Sequence, residues 1–140
     1  MDDRARAVLS SEVRAFLDAP RFAVVATVGP DGAPHQAVAW YLVDGDEIVL
    51  NSADGRRWPA NLRRDPRLDI TVEDGYRYVQ VAGRVTVDDD QDRAQADIAA
   101  MARRYHADDP AAAEEVIERR FRHQRRVSFR VRPESVRRDL

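Results

Sequence analysis

The sequence predicts a mainly β fold, a closed six-stranded Greek-key barrel with helices plugging its gaps, in one domain over residues 1–140. Three observations point there. The first half reads as three consecutive strands parted by turn residues, residues 67–87 alternate apolar and polar side chains across two more strands, and a last alternating segment returns after a helical insertion. For one small domain, closing the sheet is the arrangement that leaves no bare edge.

Val13, Phe16 and Leu17 recur at helical spacing between Ser10 and Ala19, and Pro20 ends the pattern. Phe22 to Val28 is apolar and β-branched, Gly29-Pro30-Asp31-Gly32 carries turn chemistry, and Pro34 to Val43 is apolar again, which makes a hairpin. Asp44-Gly45-Asp46 marks a tight turn before a third strand, Glu47 to Leu50. Asn51 to Gly55 is expected to break that strand, and Arg56 to Asp65 to form a short helix stopped by Pro66. Leu68, Ile70 and Val72 then face one way along a fourth strand; after Asp74-Gly75, Val79, Val81, Val85 and Val87 do so along a fifth. Gly83 marks a bulge or bend in it. Asp88-Asp89-Asp90 suits a helix start, and Ala94, Ile98, Met101 and Tyr105 form its apolar stripe to about His106. A second helix starts at Asp108-Asp109-Pro110, and Arg126 to Arg132 is the returning strand.

Composition narrows the chemistry. There is no cysteine, so disulfides and thiolate chemistry are excluded, and every one of the 23 basic residues is arginine, which removes Schiff-base mechanisms. Net charge is −2 with interspersed signs, which disfavours nucleic acid as a partner. Met1-Asp2-Asp3-Arg4 opens acidic and polar, and no apolar run approaches the roughly 20 residues that span a bilayer, so a cytoplasmic protein without membrane insertion is expected. Glycine-rich nucleotide loops and a Gly-x-Ser-x-Gly elbow are absent. His35, His106 and His123 lie far apart with no carboxylate in ligand spacing, so no metal site is expected; His35 reads either as an exposed strand residue or as a substrate contact. No triad or acid–base pair can be assembled, and the catalytic residues are unknown at this level.

Leu50 to Asn61 is the segment richest in binding chemistry. A strand end delivers Asn51 and Ser52, Gly55 permits a tight turn, Arg56 and Arg57 follow, and a helix begins with Pro59 in its first turn. Helix-start N–H groups and guanidinium forks together suit a phosphate. The alternative is that these are ordinary solvated arginines, since pairs also occur at Arg63-Arg64, Arg103-Arg104, Arg119-Arg120, Arg125-Arg126 and Arg137-Arg138. Trp40, Trp58, Tyr76 and Tyr78 are candidate flat walls for a planar ring, or equally core and interface residues.

The run Gly55-Arg56-Arg57-Trp58-Pro59-Ala60-Asn61-Leu62-Arg63-Arg64-Asp65-Pro66-Arg67, with Ala26-Thr27 to Gly32-Ala33-Pro34 before it and Tyr76-Arg77-Tyr78-Val79, Gly83-Arg84-Val85 and a strand ending at Pro133 after it, resembles the pyridoxamine 5′-phosphate oxidase-like superfamily. Over about residues 10 to 133 it looks most like the deazaflavin-dependent branch. The resemblance implies an FMN-binding-type split β-barrel homodimer with a cofactor between subunits, either coenzyme F420 or, as the alternative, FMN. The implied activity is hydride transfer from the reduced cofactor to a small electron-poor organic substrate, against the rival of a non-catalytic flavin- or haem-binding module. By similarity Gln36, Val38 and Trp40 flank the ring, Leu50, Asn51 and Ser52 contact the ring and its polar tail, Arg56 and Arg57 meet the phosphate, Asn61 braces the loop, and Trp58 and Tyr78 serve as walls. One departure stands out: the family has a lysine where this chain has Trp58, so either the two arginines replace its charge or the tail runs differently.

Overall fold

The computed structural model describes residues 9–140, so the acidic opening Met1-Asp2-Asp3-Arg4 lies outside the described residues. Helix α1 (Ser11–Asp18) leads into strands β1 (Ala23–Val28), β2 (Pro34–Ala39), β3 (Leu42–Asp44) and β4 (Glu47–Ala53). Helix α2 (Arg57–Arg64) precedes β5 (Arg67–Asp74) and β6 (Arg77–Asp88); α3 (Gln91–Tyr105), α4 (Pro110–Arg119) and a short 3-10 turn (Phe121–His123) precede β7 (Arg126–Asp139). The strands form one sheet in the order β2-β1-β5-β6-β7-β4-β3, and every pairing is antiparallel.

Six strands in a closed barrel were expected, and seven in a sheet with an open hydrogen-bond ladder are found. The expected strand from Pro34 to Val43 breaks at Trp40 and Tyr41. Its first half pairs with β1 and its second with β4, so the halves occupy opposite edges of the sheet. The cause is local: the Tyr41 N–H donates to the Tyr105 hydroxyl (3.2 Å) instead of joining a ladder, and the fully buried Tyr41 hydroxyl donates toward the carbonyls of Leu17 (2.8 Å) and Ala19 (3.1 Å). Three Cα steps cover at most about 11 Å. The two edges therefore lie close together at this point, and the sheet curls on itself.

Two strands run further than expected. Strand β4 continues through Asn51 and Ser52 because Asn51 pairs with Ser128, Ser52 with Val127 and Ala53 with Arg126, so long-range pairing overrides local polarity. Strand β7 passes Arg132 and Pro133 and pairs as far as Asp139 with Tyr78. The register shifts between Ala82 and Gly83, opposite Pro133, which places the proline, with no N–H to give, at an irregularity rather than in a regular ladder. Gly83 is needed there: a Cβ would overlap the Arg132 carbonyl.

Alternation along β4 divides the apolar residues between two cores. Ile48 and Leu50 point into the main core with Leu17, Val25, Trp58, Ile70 and Phe129, while Val49 joins Ile98, Met101, Ile117 and Phe121 beneath α3 and α4. Trp40 and Leu42 pack against this second core. The two-helix insertion is thus fastened over the outer face of β4, at the seam between β2 and β3.

Candidate functional site

Three adjoining clefts follow the outer face of β2 past the start of α2. The largest, about 690 Å³, includes Val38, Trp40, Asn51, Arg56, Trp58 and Arg126 in its lining. A middle cleft of about 450 Å³ shares Val38, Arg56 and Trp58 with it and adds Gln36 and Arg57. A third, about 560 Å³, shares His35 and Arg57 with the middle one and reaches Asn61 and Arg64. Each volume suits a small-molecule site.

Period-two geometry sorts the expected residues. Gln36 and Val38 stand outward on β2, Val38 with 62% of its surface exposed, and both line the groove. Of the expected residues on β4 only Asn51 turns to the largest cleft, with Ala53 two positions further on. Leu50 and Ser52 are buried on the alternate positions and line none of these three clefts; Leu50 belongs to the main core, and the Ser52 hydroxyl donates to the Ala53 carbonyl (2.9 Å). Tyr78 lies at the start of β6 opposite Glu73 and Asp139, likewise outside the three clefts. Trp40 stacks on Tyr105 (centroids 5.0 Å apart, planes 11° apart), which makes a flat wall. Trp58 is only 2% exposed, packs on Phe129 at 5.6 Å, and touches the groove in both the largest and middle clefts. His35 is half-buried and lines the two smaller clefts.

The local fold explains why Arg56 and Arg57 carry uncompensated charge. Gly55 sits at φ +96°, and its N–H donates to the Asp54 carboxylate (3.0 Å), which turns the chain into α2. Arg56 is the N-cap residue, with no side-chain cap, and there is no acid in the first turn. Of the nearby carboxylates, Asp54 faces Arg63 (3.3 Å) and Arg125 (3.5 Å), and Asp31, which lines the third cleft with Arg57, accepts from the Ala33 N–H (3.0 Å). Among the described residues, no hydrogen bond or ion pair engages the guanidinium of Arg56 or Arg57. In each of the five other arginine pairs one member meets a carboxylate: Arg63 with Asp89, Arg103 with Glu114, Arg119 with Glu115, Arg125 with Asp54 and Arg138 with Glu12. Arg56 and Arg57 are themselves exposed, as solvated arginines are; what sets this pair apart is that neither member meets a carboxylate.

Asn61 is buried on α2, where Nδ2 donates to Thr27 Oγ1 (3.1 Å) and Oδ1 accepts from Arg64 (3.0 Å), so it clamps the helix to β1. Arg126, Arg120, Gln124 and Phe121 complete the largest cleft and were missed in the sequence. Arg126 is 6% exposed; its Nε donates to Asn51 Oδ1 (2.9 Å), its Nη1 to Gln124 Oε1 (2.6 Å), and its guanidinium carbon lies 4.9 Å from the Phe121 ring centre. Burial, with the charges of Arg120 and Arg56, pushes its pKa down to about 10. No local signal distinguishes Arg120 or Arg126 from the other paired arginines; only the long-range placement of acids does.

Two features suit a phosphorylated planar cofactor: guanidinium groups without counter-ions, and the buried indole Nε1 of Trp58, which has no acceptor among the described residues. Fold and site together define an antiparallel β protein with a cationic, aromatic-walled groove. The sequence matches the pyridoxamine 5′-phosphate oxidase family over residues 9–138, and the chain belongs to that family. A conserved hypothetical protein of Mycobacterium tuberculosis is similar in structure, with 28% identity, a TM-score of 0.77, and coverage of 99% of this chain and 89% of that one. An F420 reductase is similar with 26% identity and a TM-score of 0.70, over 89% of this chain and 94% of that one. The haem storage protein HutZ of Vibrio cholerae shares the fold, with 18% identity and a TM-score of 0.68 over 94% of each chain. No helix among the described residues is long and apolar enough to cross a membrane.

Proposed function

We propose that this chain is a cytoplasmic F420-dependent reductase, a single-domain protein that pairs with a second copy and holds the cofactor's phosphate at Arg56 and Arg57. When bound, the reduced deazaflavin supplies a hydride to an electron-poor organic substrate. The chain's own work is binding and orientation. Arg56 and Arg57, with the N–H groups that helix geometry leaves free at the start of α2, hold the anion. Gln36 and Val38 flank the ring along β2, Trp40 walls the groove beyond the ring, Asn51 supplies a polar contact, and Trp58 Nε1 a buried donor. Asn61 keeps α2 in place against β1. Leu50, Ser52 and Tyr78 act behind or beside this groove rather than in it.

The observation that carries the reading is the arginine pair without acidic partners at the groove's centre, in a chain whose other pairs are tied to carboxylates. The likeness to an F420 reductase supports the deazaflavin over FMN. Family membership favours FMN as the second reading, since its phosphate makes the same demand on the same arginines.

Titrating the purified chain with F420, FMN and haem separates the readings by fluorescence quenching and absorbance. Tight F420 binding and turnover of enones, quinones or nitro compounds with reduced F420 are expected; FMN or haem binding without an F420 response would overturn the choice. Changing Arg56 and Arg57 together to Ala weakens cofactor binding by about tenfold or more, ~1.4 kcal/mol. Unchanged affinity would mean that the tail is held elsewhere.

A further inference from the structure

We propose that the inner end of the largest cleft is a carboxylate-binding subsite at Arg126 and Arg120, which makes the substrate of this groove a planar organic acid. The inference rests on the reading above for the cofactor's place, and uses residues that the cofactor's phosphate does not need.

A buried cation normally has an anionic partner, because lost hydration is costly. Arg126 has none: Asn51 and Gln124 satisfy Nε and Nη1 with neutral amide oxygens, and among the described residues Nη2 has no hydrogen-bond acceptor. The nearest acid in the same polar network is withheld. Asp97 accepts from the Ser128 hydroxyl (2.7 Å) and lies 3.8 Å from Arg130, while Ser128 in turn accepts from Asn51 Nδ2 (3.0 Å). Arg120 lines the same cleft, and no side-chain hydrogen bond or ion pair engages it among the described residues. Packing alone gives no reason to bring two like charges together here without a counter-ion. Arg57, by contrast, lines only the two neighbouring clefts. Phosphate and carboxylate therefore have separate cations, with Arg56 between them.

The shape of the cleft sets the rest of the ligand. Trp40, backed by Tyr105, presents a flat apolar face, and Phe121 meets it edge-on at 6.3 Å while also lying against Arg126. A planar body laid on Trp40 places an acid group at Arg126, in the manner of guanidinium–carboxylate recognition.

Isothermal titration of the purified chain with benzoate, and with benzamide as its neutral counterpart, tests the subsite. Benzoate is expected to bind saturably and benzamide about tenfold more weakly. Arg120→Ala weakens benzoate about fivefold or more while leaving F420 and FMN affinities within about twofold, and Arg57→Ala does the reverse. Arg126→Met abolishes benzoate binding with the melting temperature held or raised, since it removes an unpaired buried charge. Equal affinities for benzoate and benzamide would overturn the proposal. So would an Arg120→Ala variant that loses cofactor as steeply as benzoate, which would give these arginines to the cofactor's tail. If the native chain binds neither cofactor, the preceding reading fails, and the benzoate and benzamide arms still decide this one.

Discussion

Asn61 shows at residue scale how a site is held without being touched. Its amide joins Thr27 on β1 to Arg64 on α2, and Arg64 donates onward to the Val28 carbonyl (2.7 Å). Asn61→Leu keeps the branched shape but strands Thr27 Oγ1 and one Arg64 donor; chemical denaturation should show a loss of about 1–3 kcal/mol. The family resemblance implied a brace for the loop at Asn61; the structure places its amide between α2 and β1. The places of Leu50, Asn51 and Ser52 were legible only as a group, because the sequence identifies three neighbours while the pleat sends Asn51 to the groove and the other two away. Arg126 was not legible, since its meaning lies in the absence of an acid from a place that only folding creates.

At the scale of elements, the helices and the β5–β6 hairpin followed their periodicity closely, and the Gly83 irregularity was foreseen. The strand ends were not. Asn51 and Ser52 look like loop residues until β7 pairs with them, and nothing near Pro133 in sequence announces that the chain resumes pairing beyond it. The start of α3 is tied to α2 through Asp89, which meets Arg63 at 2.5 Å, while Asp88 meets Arg93 at 2.7 Å. Those arginines hold both carboxyls below their ordinary value of 3.8. A carboxyl whose folded pKa is depressed contributes stability that is complete above the unfolded value and lost as pH falls through the folded one. The melting temperature should therefore hold steady above about pH 5 and fall as acid passes below 3.8. Asp89→Asn should flatten part of that fall and, because the pair is exposed, cost under about 1 kcal/mol at neutral pH.

Across the whole molecule, Phe22 and Val38 each expose 62% of their surface beside the largest cleft, an uncommon use of large apolar side chains on a chain that is 34% charged. The proposed pairing of two copies gives them cover. Analytical ultracentrifugation of the purified chain is expected to find twice 15.9 kDa. Val38→Asp should shift it toward single copies and lower cofactor affinity with it; a native chain that sediments as a single copy at tens of micromolar would remove the pairing from the reading.

The junction at Trp40 and Tyr41 has a consequence for how this chain can change over generations. Both rims of the sheet are stitched together by those two residues, one looking out to the groove and the other down into the interior. Adding or losing a single residue there would invert the facing of every side chain from Leu42 to Asp44 and unhook Tyr41 from Leu17. The number of residues across the stitch is therefore fixed by the pleat.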